Sequence, residues 1–103
     1  MEKLTTQEVK TKIDNGESFL LDFYAEWCGP CKLLMSTLEE VEEDLKEKSI
    51  MTYKFDVDSD MSFPMSMGIR GVPTLLFYKD KRVVNKTSGG RMSPDEIMRF
   101  TEV

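Results

Sequence analysis

The chain has 103 residues, 40% of them hydrophobic and 32% charged, with six glycines and four prolines, which excludes collagen-like, low-complexity and disordered classes. A chain of this length buries somewhat more than about 60% of its unfolded surface, so a single globular domain over residues 1–103 is expected. Fourteen lysines and arginines against nineteen aspartates and glutamates leave a formal charge of −5, which disfavours nucleic acid and anionic membrane surfaces as partners and leaves a basic protein partner open.

Thr5-x-x-Glu8 has the pattern of a helix-opening capping box, and Asn15-Gly16 that of a stop, so a short first helix lies between them. Ser18 to Tyr24 is apolar on both faces of a two-residue period, as in a central strand covered on both sides, with Asp22 as the one anomaly. After Trp27-Cys28-Gly29-Pro30-Cys31, the residues Leu34, Leu38, Val41 and Leu45 recur at helical spacing among glutamates, which makes this the main amphipathic helix, beginning at the cysteines. Ile50 to Val57 alternates as a second strand, and the strand, helix, strand order implies a right-handed parallel crossover. Asp58 to Met67 is a polar, methionine-rich connector with room for one or two helical turns. Thr74 to Tyr78 and Val83 to Thr87 pair as an antiparallel hairpin around Asp80-Lys81. Lys81 stands where a tight turn takes glycine, so a looser turn is expected. Ser93-Pro94-Asp95-Glu96 opens a final helix that runs to about Thr101. No apolar stretch approaches the roughly 18 residues of a membrane helix. Residues 1–8 have neither the apolar segment nor the cleavage site of a secretory leader, so a cytoplasmic location is expected.

The chain has no histidine, which removes the usual general base, pH switch and metal ligand together. Cys28 and Cys31 are its only cysteines, and they sit where a buried strand gives way to a long helix. The first turn of a helix has unpaired N–H groups and partial positive charge, both of which favour a thiolate. Cys28, at the outer edge of the turn, is the candidate nucleophile; Cys31 lies one turn along, able to reach back and less accessible. Pro30 fixes φ at a position whose missing N–H the helix start does not need. A zinc or iron–sulfur site needs about four ligands, which the chain could supply only between subunits. A haem attachment needs histidine after the second cysteine, where Lys32 stands. A structural disulfide would close a four-residue loop and add about 2 kcal/mol by chain entropy. A redox-active pair is favoured, with the structural and intersubunit readings left open. Asp22, if enclosed on both sides of its strand, should resist ionisation and could exchange a proton near neutral pH; otherwise it marks a strand end in solvent.

Asp22-Phe23-Tyr24-Ala25-Glu26-Trp27-Cys28-Gly29-Pro30-Cys31-Lys32 resembles the active-site segment of the thioredoxin family, and Gly68-Ile69-Arg70-Gly71-Val72-Pro73-Thr74 resembles its second signature. The order and separation also agree, and the similarity extends from the first helix to Phe100. The resemblance implies an α/β thioredoxin fold, a central mixed sheet of about four to five strands flanked by helices on both faces. It implies a protein-disulfide reductase in which Cys28 attacks a target disulfide and Cys31 resolves the mixed disulfide. Asp22 would be the buried acid that helps deprotonate Cys31, and Lys54 the strand lysine that tunes it. Val72-Pro73 would be cis beside the cysteines, where an isolated Val-Pro would otherwise be an ordinary trans loop, and the Val72 backbone would take up an extended substrate segment. Trp27, Gly29, Pro30, Val72, Pro73, Gly89 and Gly90 would frame an apolar docking surface around Cys28.

The implied protein is a cytoplasmic monomer without bound cofactor or metal, its Cys28–Cys31 pair recharged by a thioredoxin reductase and discharged onto disulfide-bearing target proteins. Gly29-Pro30 between the cysteines favours the reducing end of the family, since oxidases and isomerases usually carry histidine there. A binding module with incidental redox chemistry is the alternative. Departures from the family pattern are Tyr24 where many members have a second tryptophan, Gly89-Gly90, Lys81, and the short final helix. The acidic residues of the main helix read as a solvated face and the eight methionines mainly as core filler, with Met61, Met65 and Met67 able to widen a contact surface.

Overall fold

The computed structural model describes residues 1–89 and 91–103. Nine elements follow in order: β1 (Glu2–Lys3), α1 (Thr6–Asp14), β2 (Phe19–Tyr24), α2 (Gly29–Glu47), β3 (Met51–Asp56), α3 (Ser62–Ser66), β4 (Thr74–Lys79), β5 (Arg82–Ser88) and α4 (Pro94–Phe100). The sheet order is β1-β3-β2-β4-β5; β3 runs parallel to β1 and β2, while β4 is antiparallel to β2 and to β5. This five-stranded mixed sheet is the thioredoxin fold implied by the motifs.

Local chemistry sets the helix ends. Thr5 and Ser93 each accept the N–H of the residue three further on, and Glu8 and Glu96 reach back to the Thr5 and Ser93 N–H groups, closing both capping boxes. α1 stops at Asn15, followed by Gly16 at φ +72, where a side chain would be strained. Period-two alternation divides β2 between two cores. Phe19, Leu21 and Phe23 pack toward α1 and α3 with Val9, Phe55 and Phe63. Leu20 faces α2 and α4 with Leu34, Leu38, Val41, Leu45, Leu75 and Ile97. Burying one such leucine stabilises the fold by about 1.5–3 kcal/mol. β2 is buried along its whole length because both faces are covered.

Two details depart from the expectations above. The first residues form a strand: Glu2 and Lys3 pair with Tyr53 and Lys54 at the free edge of β3. Two exposed charged residues carry no strand pattern of their own, and the pairing is supplied by β3. The hairpin turn is tight, since Lys79 pairs with Arg82 and only Asp80 and Lys81 lie between, at φ +53 and +68. Two successive positive φ values suit the right-handed twist of the flanking strands, and pairing along β4 and β5 outweighs the cost of a left-handed lysine, about 1–2 kcal/mol. Lys81→Gly is therefore expected to stabilise the protein by about 0.5–1 kcal/mol, less than the full relief because glycine loosens the unfolded chain. A urea midpoint that stays put or falls contradicts this.

Candidate functional site

The site lies where β2, running parallel to β3, ends and α2 begins, beyond the carboxyl ends of the parallel strands, the usual position of function in open α/β sheets. After Tyr24 the chain turns through Ala25, whose carbonyl accepts the Cys28 N–H at 3.1 Å. Cys28 is the N-cap of α2 in extended conformation, Gly29 and Pro30 form the start of the first turn, and Cys31 follows within it.

Cys28 and Cys31 are joined in a disulfide, with their Cα atoms 5.3 Å apart. The Cys28 sulfur accepts the backbone N–H of Cys31 at 3.2 Å, taking the place of a serine or aspartate oxygen at an N-cap. The same N–H would stabilise a thiolate on Cys28 once the bond is reduced, adding to the positive end of α2. Cys28 is 5% exposed and Cys31 0%. Tyr24 and Ala25 pack around both sulfur-bearing residues, with Met35, Val57 and Val72 against the cluster.

Asp22 lies one pleat behind, fully buried, which excludes the solvent-exposed strand end. It is paired in register with Leu75 on one side and Lys54 on the other, on the sheet face that α2 covers. No protein group donates to either carboxyl oxygen among the described residues. Burial without hydrogen bonds pushes the carboxyl from 3.8 up to about 7, and the positive charge of Lys54 works in the opposite direction. Lys54 does not form a salt bridge with Asp22: the two such bridges among the described residues are Lys12–Glu17 and Lys46–Glu43. Its ammonium lies 4.0 Å from the Met35 sulfur and 5.4 Å from the centre of the Tyr24 ring. Lys54 thus acts on Asp22 through space while aromatic and thioether groups hold it.

Val72–Pro73 is cis, and Val72 packs on the cysteine cluster. Neither the N–H nor the carbonyl of Val72 has a hydrogen bond among the described residues, and β4 begins two residues later. The Pro73 carbonyl accepts the N–H of Gly89 at 2.8 Å, and Gly89 has φ +62, a conformation glycine adopts without strain. This places Gly89 beside the cis bond. Gly90 lies outside the described residues. Gly29 and Pro30 are exposed at the helix start.

Sequence reasoning missed Asp58, whose carboxylate accepts the indole N–H of Trp27 at 3.0 Å. It also missed Met35, although four residues after Cys31 is the same helix face, a signal available from periodicity. Asp58 had no such signal, because its nearness to Trp27 arises only when β3 is laid beside β2. Trp27, Asp58, Met61, Met65, Ile69 and Val72 are among the residues around a cleft of about 180 Å³ beside the disulfide.

The thioredoxin family model matches residues 1–102. A thioredoxin of Pseudomonas aeruginosa is 37% identical over 83 residues, covering 81% of this chain and 75% of that protein. A thioredoxin of Staphylococcus aureus is 37% identical over 87 residues, covering 84% of this chain and 82% of that protein. Among solved structures, chloroplastic thioredoxin z superposes with a TM-score of 0.85 at 28% identity, over 99% of this chain and 91% of that one. A buried disulfide at the mouth of a long helix, a five-stranded mixed sheet and these relatives together place the chain in the thioredoxin family, as a thiol–disulfide oxidoreductase.

Proposed function

We propose that the protein reduces disulfides of other proteins in the cytoplasm, taking its electrons from a thioredoxin reductase. The observation that carries this reading is the Cys28 sulfur at the α2 N-cap, hydrogen-bonded by the Cys31 N–H and bonded to the Cys31 sulfur. In the reduced protein the Cys28 thiolate attacks one sulfur of a target disulfide, the target S–S bond breaks, and a mixed disulfide forms as the other target sulfur leaves as a thiolate. Cys31 then loses its proton toward Asp22 and attacks the Cys28 sulfur; the mixed disulfide breaks, the second target sulfur leaves as a thiolate, and the Cys28–Cys31 disulfide re-forms, its two electrons now held by the two reduced target thiols. The carboxyl of Asp22 suits this role because its pKa, about 7, allows it to accept and release a proton near neutral pH. Lys54 tunes that exchange through its charge.

Trp27, Gly29, Pro30, Val72, Pro73 and Gly89 frame the docking surface. The unengaged Val72 N–H and carbonyl fit strand addition by an extended target segment. A Cβ built on Gly29 would meet no atom within 4 Å, so the missing side chain serves the outside, keeping the approach to Cys28 open. No helix among the described residues is long and apolar enough to cross a membrane.

The test is reduction of insulin disulfides by the purified protein, recharged by dithiothreitol or by a thioredoxin reductase with its nicotinamide reductant. Turnover with both is expected. A protein inactive with both is a binding scaffold, and the reductase reading fails.

A further inference from the structure

Six of the eight methionines are partly buried and pack on the interior: Met51 and Met67 on the α1 and α3 side, Met1, Met92 and Met98 on the α2 and α4 side, and Met35 against the cysteines. Met61 and Met65 differ. They are 58% and 68% exposed, so the hydrophobic core does not account for their side chains. They stand one helical turn apart, the Met65 N–H donating to the Met61 carbonyl at 3.2 Å. Both line the cleft that Trp27, Ile69 and Val72 also line. Val57 and Val72, which line this cleft, also pack on the cysteine cluster, so the cleft adjoins the redox site.

A thioether is apolar and pliable, suited to varied apolar partners, and a two-electron oxidant converts it into a polar sulfoxide. We propose that Met61 and Met65 are an oxidation site at which peroxide-class oxidants close the cleft beside Cys28–Cys31 to bulky apolar side chains of target proteins. The occupant is the apolar side chain that flanks the target's disulfide and enters the cleft as that disulfide meets Cys28; the inference therefore rests on the disulfide-reductase reading. In the modification step the O–O bond of the peroxide breaks. One oxygen bonds to the methionine sulfur, which is oxidised by two electrons, and the other leaves as water, or as an alcohol from an organic peroxide. A docked apolar side chain would then cover a sulfoxide oxygen without supplying a donor, an unfavourable burial.

The full chain, held as the disulfide so that no thiol is consumed, is treated with hydrogen peroxide, and oxygen uptake at each methionine is mapped by mass spectrometry. Treated and untreated protein are then reduced and compared on insulin and on a small aromatic disulfide that does not need the cleft. Met61 and Met65 are expected to oxidise before the other six, raising the KM for insulin roughly tenfold while the small-disulfide rate changes less than about twofold. In a Met61→Leu, Met65→Leu protein, measured against its own untreated baseline, peroxide should leave the KM for insulin within about twofold. Oxidation that begins at other methionines overturns the proposal. So does an unchanged KM for insulin, or an equal rise in the leucine protein. Untreated protein that reduces neither substrate removes the reductase reading and this proposal with it, an outcome distinct from loss of the peroxide effect alone.

Discussion

Cys28→Ser is expected to lower insulin reduction by on the order of 10³-fold or more, because a serine hydroxyl is scarcely ionised at neutral pH and cannot form the mixed disulfide. Cys31→Ser should differ in kind. Its Cys28 can still attack, and with no resolving thiol the target remains attached, visible as a covalent adduct under non-reducing conditions and released by dithiothreitol. The order of attack follows from the geometry: Cys28 retains some exposure and accepts the Cys31 N–H, whereas Cys31 is wholly enclosed. An adduct that accumulates with Cys28→Ser and not with Cys31→Ser would reverse the assignment.

Asp22→Asn is expected to make the protein more stable and less active. The carboxyl is raised from 3.8 in the unfolded chain to about 7 in the folded protein, with burial as the main cause and Lys54 opposing it. Between those values the folded state holds the proton more tightly than the unfolded state, so this group's favourable contribution is complete below about pH 4 and is lost as the pH rises to about 7. The full loss amounts to roughly 4 kcal/mol at about 1.4 kcal/mol per pKa unit. The substitution removes that penalty, so a gain on the order of 2–4 kcal/mol is expected above about pH 7, shrinking toward zero near pH 4. Without the proton acceptor behind Cys31, resolution should slow by on the order of 10²-fold. Urea unfolding of both proteins across this pH range checks the first part, and the decay rate of a preformed mixed disulfide checks the second. A stability difference that does not vary with pH would show that Asp22 does not titrate as described.

All the elements except β1 were readable from the chain because helix caps and apolar periodicity act over a few residues. Thr5-x-x-Glu8 and Ser93-x-x-Glu96 close the capping boxes their spacing announces, and the stripe from Leu34 to Leu45 is the buried face of α2. The Asp58 to Met67 connector holds a short helix, as its length allows. The tight turn at Asp80-Lys81 went against its residues, because strand pairing on both sides overrides a local preference. The sequence set Met61, Met65 and Met67 apart as able to widen a contact surface; the fold leaves Met61 and Met65 exposed, while Met67 packs on the α1 and α3 core.

By itself, the sequence determined which chemistry was possible: two thiols at a helix start, one carboxylate in an apolar strand and no histidine. Tertiary structure decided what those groups meet. It laid β3 beside β2, so that Lys54 stands across from Asp22 and Asp58 reaches Trp27, and it gave Glu2 and Lys3 a strand to join. It also placed the Met61–Met65 pair on a cleft that shares Val72 with the cysteine cluster. Patterns along the chain carry propensity and periodicity, while the neighbours of a side chain across a sheet depend on register and crossover between residues distant in the sequence, which no local pattern encodes.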